Sequence, residues 1–488
     1  MPVYSSLAIR ENDSSEIRAW KQRTALKLLE LRRALDEHIA GASGREEASV
    51  PACERSGREW LRLATWNIRE FDTRKYGGRL KESLYFIAEI ISHFDIVALQ
   101  EVRENLSALN ALMQFLGRHE WDYIATDVTE GSSGNGERMV FVYRKSVVRF
   151  TSIAGEVVLS RPEMIEGSSG ICFRDDSGLK LTFPDGSSCI HSAGASVVKS
   201  GRKTLLSCDL EIPLPEGTKV VLPRGSKLVL PRASELPDSM RNGTVSFDFS
   251  TGSDWLKQVM IRPTANALSG VGLQFARSPF LVTFQAGWLR FILCTVHIYY
   301  GTGKSGLARR NEEIAKLTRF LAKRAASEHD SDADNFFFVL GDFNIIGKEH
   351  VTWKSLHSNG FRVPEQLRKI PAGSNVARDK AYDQIAFWQP SVSRKTGSPF
   401  IDVGNAGIFD YFRYVFRAGK DDPDGEEERY YAEKTRQHRL SYKEWRTYQM
   451  SDHLPMWIDL RTDFGTDYLS AIASLSRTPD AVRQGRAG

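Results

Sequence analysis

The sequence predicts an α/β layered protein interrupted by a β-rich unit. Apolar, strand-like runs alternate with helical spacing from about residue 61 to 144, and strand and helix patterns return from about 280 to 459. Between about 151 and 266 helical periodicity is absent, Gly, Ser and Pro are frequent, and short runs at 179–183 and 245–249 alternate. A chain of 488 residues is also too long for one small core.

Residues 13–40 read as one helix, with Asp13 as cap, Glu16 as capping-box partner, and Trp20, Leu28, Leu31, Leu35 and Ile39 at helical spacing. Such a helix packs on the main domain or pairs with another chain. Residues 41–57 are small, polar and charged and read as a linker. An alternating strand at 61–67 ends in Asn67, and a buried strand at 95–101 ends in Glu101. Helices are expected at 78–93 and 105–117, and strands at 121–126 and 138–144. Inside the β-rich unit, Val-Leu-Pro-Arg-Gly-Ser-Lys at 221–227 is echoed at 229–235, which reads as two successive strands.

A hairpin through Ala286-Gly287 is expected to join strands at 280–285 and 288–297, the second ending in His297. A helix at about 307–326 leads to the apolar run 336–340, which Gly341 ends and which delivers Asp342 and Asn344 two residues apart. A helix at 351–360, a short strand from Asp383, a solvated acidic loop at 420–429, a final strand after Asp452-His453 and a frayed tail from about 470 complete the reading.

Composition narrows the class. Net charge is +5, from 66 basic and 61 acidic residues, which is compatible with a polyanionic partner. The five cysteines form no CxxC pair, against a disulfide scaffold or zinc knuckle. No basic-then-apolar leader opens the sequence and no apolar run approaches a membrane span, so a reduced, cytoplasmic protein is expected.

Asn67, Glu101, His297, Asp342, Asn344, Asp383, Asp452 and His453 each sit at the edge of a strand-like run, so packed strands would gather them in one cleft. Their oxygen and amide donors match the taste of Mg²⁺ or Mn²⁺, and two histidines offer a base and a proton donor, a set suited to phosphodiester hydrolysis. Gly301-Thr-Gly-Lys304-Ser305 imitates a phosphate loop, but Ile298 stands where that loop needs glycine.

The order of Thr65-Trp-Asn67-Ile-Arg-Glu-Phe71, Leu99-Gln-Glu101-Val-Arg103, Gly136-Glu-Arg-Met-Val-Phe-Val-Tyr-Arg144, Val296-His297, Leu340-Gly-Asp342-Phe-Asn344, Ala381-Tyr-Asp383 and Ser451-Asp452-His453-Leu-Pro455 resembles the endonuclease/exonuclease/phosphatase superfamily, and within it the deoxyribonuclease I-like nucleases. The resemblance implies a four-layer α/β sandwich with two packed mixed β-sheets, spanning residues 58–150 and 267–462. An N-terminal helical extension and linker (1–57), the inserted unit (151–266) and a tail (463–488) would flank or interrupt it. It also implies roles: Glu101, Asn67 and Asp452 at the metal; His453 as the base; His297 as acid or stabiliser, supported by Asp383; Asp342 and Asn344 on phosphate, metal or water. Glu137 matches an acid that supports a histidine, and Arg69, Arg103 and Arg277 match arginines near the nucleic-acid backbone.

The expectation is a Mg²⁺-dependent phosphodiesterase, a DNA endonuclease before an RNA one. The alternatives are a phosphatase or phospholipid phosphodiesterase of the same superfamily, and a catalytically idle binding module whose N-terminal helix or insert recruits a protein partner. His93, His191, His350 and His357 match nothing, and Lys304, Arg309 and Arg310 read as a solvated helix start.

Overall fold

The computed structural model describes residues 2–43, 59–73, 77–129, 136–159, 275–330, 335–388 and 401–475, and the backbone of short strands between 179 and 261. The strands of the main body are β1 (Trp60–Phe71), β2 (Ile96–Arg103), β3 (Trp121–Ala125), β4 (Glu137–Arg144), β5 (Arg149–Glu156), β6 (Phe280–Ala286), β7 (Leu289–His297), β8 (Asn335–Asp342), β9 (Phe361–Arg362), β10 (Asp383–Trp388), β11 (Val403–Ile408) and β12 (Met456–Arg461). The helices are α1 (Ser15–Ser43), α2 (Lys81–Ile91), α3 (Ser107–Leu116), α4 (Gly303–Asp330), α5 (Val351–Leu356), α6 (Glu365–Arg368), α7 (Glu426–Tyr430), α8 (Ala432–Gln437), α9 (Tyr442–Gln449) and α10 (Gly465–Leu475).

Two six-stranded mixed sheets result, ordered β11-β12-β1-β2-β4-β3 and β9-β10-β8-β7-β6-β5. Among the described strands only β1–β2 and β7–β8 run parallel. Helices flank the pair, giving the expected four-layer sandwich. Between the sheets Phe141 of β4 packs on Phe280 and Phe284 of β6. Deeper in, a buried polar ladder crosses the seam: Gln100 Nε2 donates to Thr295 Oγ1 (2.8 Å) and to Thr65 Oγ1 (3.1 Å). A satisfied buried amide fixes how the two sheets slide against each other.

Several expectations need correction. Ser14, not Asp13, caps α1, its Oγ accepting from the Ile17 N–H at 3.2 Å. Asp13 instead accepts from the Arg10 N–H and from Lys21 Nζ. Strand β5 pairs with β6 in the second sheet, so residues 149–156 belong to the sandwich and the inserted unit starts later than 151. The described strands of that unit pair among themselves. The linker from 44 onward and the echo's second copy at 229–235 lie outside the described residues.

The acidic segment at 420–429 is not a solvated loop. Glu427 is buried there and meets Arg23 (3.1 Å) and Lys27 (3.0 Å) of α1. The tail contains α10, whose Tyr468 packs on Trp288. Helix α1 docks on the main body: Leu31 and Leu35 are fully buried, and Arg32 grips the Glu89 carboxylate at 2.7 and 3.1 Å.

Candidate active site

From the first sheet, Asn67 stands where β1 stops pairing regularly with β2; the register slips between Asn67 and Phe71. Its Nδ2 donates to Glu101 Oε1 (2.9 Å) and Asp342 Oδ2 (3.1 Å), and its Oδ1 accepts from the Arg69 N–H (3.0 Å). Glu101 has φ +63°, and its Oε2 accepts from the Glu70 N–H at 2.8 Å. Paired bulges on neighbouring strands thus re-aim an amide and a carboxylate at one point. Burial pushes the Glu101 carboxyl up, but His297, the Asn67 amide, the Glu70 N–H and His453 outweigh it and lower its pKa to about 2.

From the second sheet, register does the gathering. Parallel β7 and β8 set His297 opposite Asp342, and antiparallel β8 and β10 set Asp342 opposite Asp383. Gly341 is required just before this point: at φ +132°, a Cβ would lie 2.1 Å from the Val296 carbonyl oxygen. Asp342 Oδ1 accepts from the Asn344 N–H (2.8 Å), and Asn344, at φ +53°, donates through Nδ2 to the Ile298 carbonyl (2.7 Å).

Two histidine–carboxylate dyads close the site. His297 Nδ1 lies 3.0 Å from Glu137 Oε1, and its Nε2 lies 3.6 Å from Asp342 Oδ2 and 3.8 Å from Glu101 Oε1. His453 Nδ1 lies 2.7 Å from Asp383 Oδ2, and its Nε2 lies 3.7 Å from Asp342 Oδ2. Each dyad spans the seam: Glu137 opens β4 of the first sheet and His453 lies just before its β12, while His297 and Asp383 stand on β7 and β10 of the second. Asp383 therefore supports His453, not His297 as expected, because pairing with β8 carries it away from Glu137's position on β4.

The dyads carry different charge. Burial and Arg277 hold His297 down to about 4, against the pull of Asp342 and Glu101. Burial opposes the proton on His453 too, but Asp383 and Asp342 outweigh it and raise its pKa well above the ordinary value. The surroundings thus favour a proton on His453 over one on His297. This ordering runs against the expectation of His453 as base and His297 as acid or stabiliser.

The remaining expected residues divide. Arg277 is buried and ion-paired with Glu137, so it backs His297 instead of lying open at the surface. Arg103 pairs with Glu70 at 3.4 Å. Arg69 stacks on the Tyr448 ring (3.9 Å), bonds Thr447 and the Tyr448 hydroxyl, and meets Asp452 at 3.6 Å. Asp452 is thereby drawn to the rim, outside the two clusters whose ligand atoms lie within 4.8 Å of one another, Glu101–Glu137–His297 and Asp342–Asp383–His453.

Sequence reasoning missed the residues that hold this set. Arg310 is buried, and its Nη1 donates to the Asn344 carbonyl (2.9 Å), so it is no solvated helix start. Glu313 accepts from the Ala276 N–H (2.9 Å) and the Tyr299 N–H (3.1 Å), clipping together the approaches to Arg277 and His297. The Tyr411 hydroxyl lies 2.8 Å from the carbonyls of both Ser451 and His453. None sits in a strand-tip pattern; only Ser451, beside Asp452-His453, carried a local signal.

No family model matches the chain. One curated protein, Deoxyribonuclease-1 of Rattus norvegicus, is 36% identical over 91 residues, 18% of this chain and 31% of that protein. The chain is similar to the endonuclease/exonuclease/phosphatase superfamily, its deoxyribonuclease I-like members included. The chain thus spans about a third of that deoxyribonuclease's length by sequence. Solved structures that align with the chain include a mannosyl-6-phosphatase of Bacteroides thetaiotaomicron (14% identity, TM-score 0.39, 82% of this chain and 99% of that one). An endonuclease/exonuclease/phosphatase of Bacteroides vulgatus (13%, TM-score 0.39, 83% and 100%) and the human Nocturnin catalytic domain (13%, TM-score 0.37, 84% and 98%) also align.

Proposed function

We propose that the chain is a metal-dependent phosphodiesterase that hydrolyses nucleic acid, with DNA as substrate and internal cleavage as its mode. The observation that carries this reading is the pair of dyads presenting both Nε2 atoms to one oxygen, Asp342 Oδ2, at 3.6 and 3.7 Å. The matching segment of Deoxyribonuclease-1 and the mildly basic chain favour nucleic acid over other phosphoesters.

A divalent cation fits the donor set, because the oxygens are hard and Glu101 stays ionised down to about pH 2. Glu101 and Asn67 would hold Mg²⁺ or Mn²⁺, which when bound polarises the phosphate and offsets charge on the leaving oxygen. The chain's own residues do the proton work. His297, neutral and steered by Glu137 at Nδ1, accepts the proton of the attacking water at Nε2. His453, protonated and backed by Asp383, gives one to the leaving oxygen. Asp342 and Asn344 orient the phosphate or the water between them, and Arg69 and Arg103 at the rim serve the backbone.

The test is nicking of supercoiled plasmid by the purified protein with Mg²⁺, Mn²⁺ or EDTA, beside His453→Ala. Metal-dependent nicking that falls by roughly 100-fold or more in the variant is expected. Folded protein that leaves the plasmid intact with metal present would overturn the DNA reading; RNA, phospholipid and sugar-phosphate esters would then be assayed.

A further inference from the structure

Three residues of unfavourable backbone close β1. Arg69, Glu70 and Asp72 have φ of +37°, +45° and +78°, none of them glycine. Left-handed conformations are unfavourable for L-residues, so they persist only where surrounding groups over-determine them. This strained stretch is what turns the Arg69 N–H onto Asn67 Oδ1 and the Glu70 N–H onto Glu101 Oε2.

One side chain lies beneath it. Arg79 donates through Nη2 to the carbonyls of Ile68 and Arg69 (2.9 Å for the second) and through Nη1 to that of Glu70 (3.4 Å). The same Nη2 reaches the Met450 carbonyl at 3.0 Å. Met450 directly precedes Ser451, whose Oγ donates to the Asn67 carbonyl (2.6 Å) and accepts from the His453 N–H (3.0 Å). The guanidinium rests on the Phe71 ring at 4.7 Å. Its own segment is pinned by Gln449, which accepts from the Leu80 N–H (2.8 Å) and donates to the Gly78 carbonyl (3.0 Å). A planar fork holds its donors in fixed directions toward carbonyls of two segments, which the compact head of a flexible lysine does not reproduce.

We propose that Arg79 is a positioning residue that locks the β1 turn against the His453 segment, so that Asn67 and Glu101 are set for the divalent ion and His453 is held in line with them. The part concerning the ion rests on the function proposed above. Arg79 touches no substrate; it acts through backbone carbonyls.

The experiment compares wild type, Arg79→Lys and Arg79→Met by hydrogen–deuterium exchange without metal, by calorimetric titration with Mn²⁺, and by kinetics on bis(p-nitrophenyl) phosphate. Faster exchange confined to residues 66–72 and 449–454 is expected in Arg79→Met, with Mn²⁺ affinity weaker by roughly 10–100-fold. The kcat should fall by roughly 100-fold while KM for the small diester stays within a few-fold. Methylguanidinium should restore part of the kcat of Arg79→Met, and Arg79→Lys should not escape the loss. Exchange, Mn²⁺ affinity and kcat at wild-type values in folded Arg79→Met, or a change in thermal stability alone, would overturn the proposal. Wild-type protein that binds no Mn²⁺ would overturn the function reading and the ion's share of this one, and the exchange result would still decide whether Arg79 braces the two segments.

Discussion

At the scale of single residues, the two dyads are alike in shape and opposite in charge. Both histidines offer Nε2 to Asp342, yet one sits against Arg277 and Glu137 while the other faces Asp383 and Asp342. Two similar groups pushed apart in pKa are how a site obtains an acid and a base at one pH. Asp383→Asn removes the charge that keeps the His453 proton in place. Its pKa should therefore fall, and the alkaline limb of the kcat/KM profile should move to lower pH with roughly 100-fold lower turnover. Initial rates on a small diester across pH 5–10 check this. Movement of the acid limb instead would make His453 the base. Sequence displayed His297, Asp383 and His453 at strand tips, with Glu137 named only through the family resemblance, but not who pairs with whom. Partnership is set by register, Asp342 with Asp383 and Arg103 with Glu137, and no local pattern encodes it.

At the scale of elements, α1 is the unit most dependent on its neighbours. Its His38 ring packs edge-on against Phe409 and Trp457, and the Trp457 indole donates to Nε2 at 3.3 Å. Gly407 leaves the room, since a Cβ there would lie 2.6 Å from that nitrogen. Burial, with Arg378 and Arg62 nearby, lowers the His38 pKa from 6.5 to about 4. The unfolded chain then binds a proton that the folded one refuses, so between pH 6.5 and 4 stability falls as pH falls. Urea unfolding at pH 7 and pH 4.5 should show a larger loss for wild type than for His38→Gln, and an equal loss would remove His38 from the account. The apolar spacing of α1 was legible because its burying face repeats at Leu28, Leu31 and Leu35. β11 was not, because Val-Gly-Asn-Ala-Gly-Ile has neither alternation nor strand propensity. Helices α7–α9 were hidden by polar composition: α7 is held by the ion pairs of Glu427 with α1, and α9 by Tyr442 and Trp445 stacked on Tyr431 and Phe416.

At the scale of the whole molecule, the described residues on either side of 160–274 lie on adjacent strands. The Val157 N–H bonds the Pro279 carbonyl at 2.8 Å, and Glu156 stands opposite Phe280. Replacing residues 160–274 by a short Gly/Ser loop should therefore leave a cooperatively folding sandwich with small-diester turnover within a few-fold of wild type. Loss of cooperative unfolding in calorimetry would show that the unit is structural. The layered class was readable because strand and helix periods alternate over long stretches; the point of insertion was misplaced because β5 is solvent-exposed along most of its length and carries no buried-strand pattern. Because each dyad takes one member from either sheet, neither sheet alone holds a complete proton-handling pair. The order of synthesis adds to this: Asn67, Glu101 and Glu137 are made first and His453 near the end. A growing chain holds only the first dyad until Asp383 and His453 have both been made, so the proposed hydrolysis cannot begin before the two sheets can pack together.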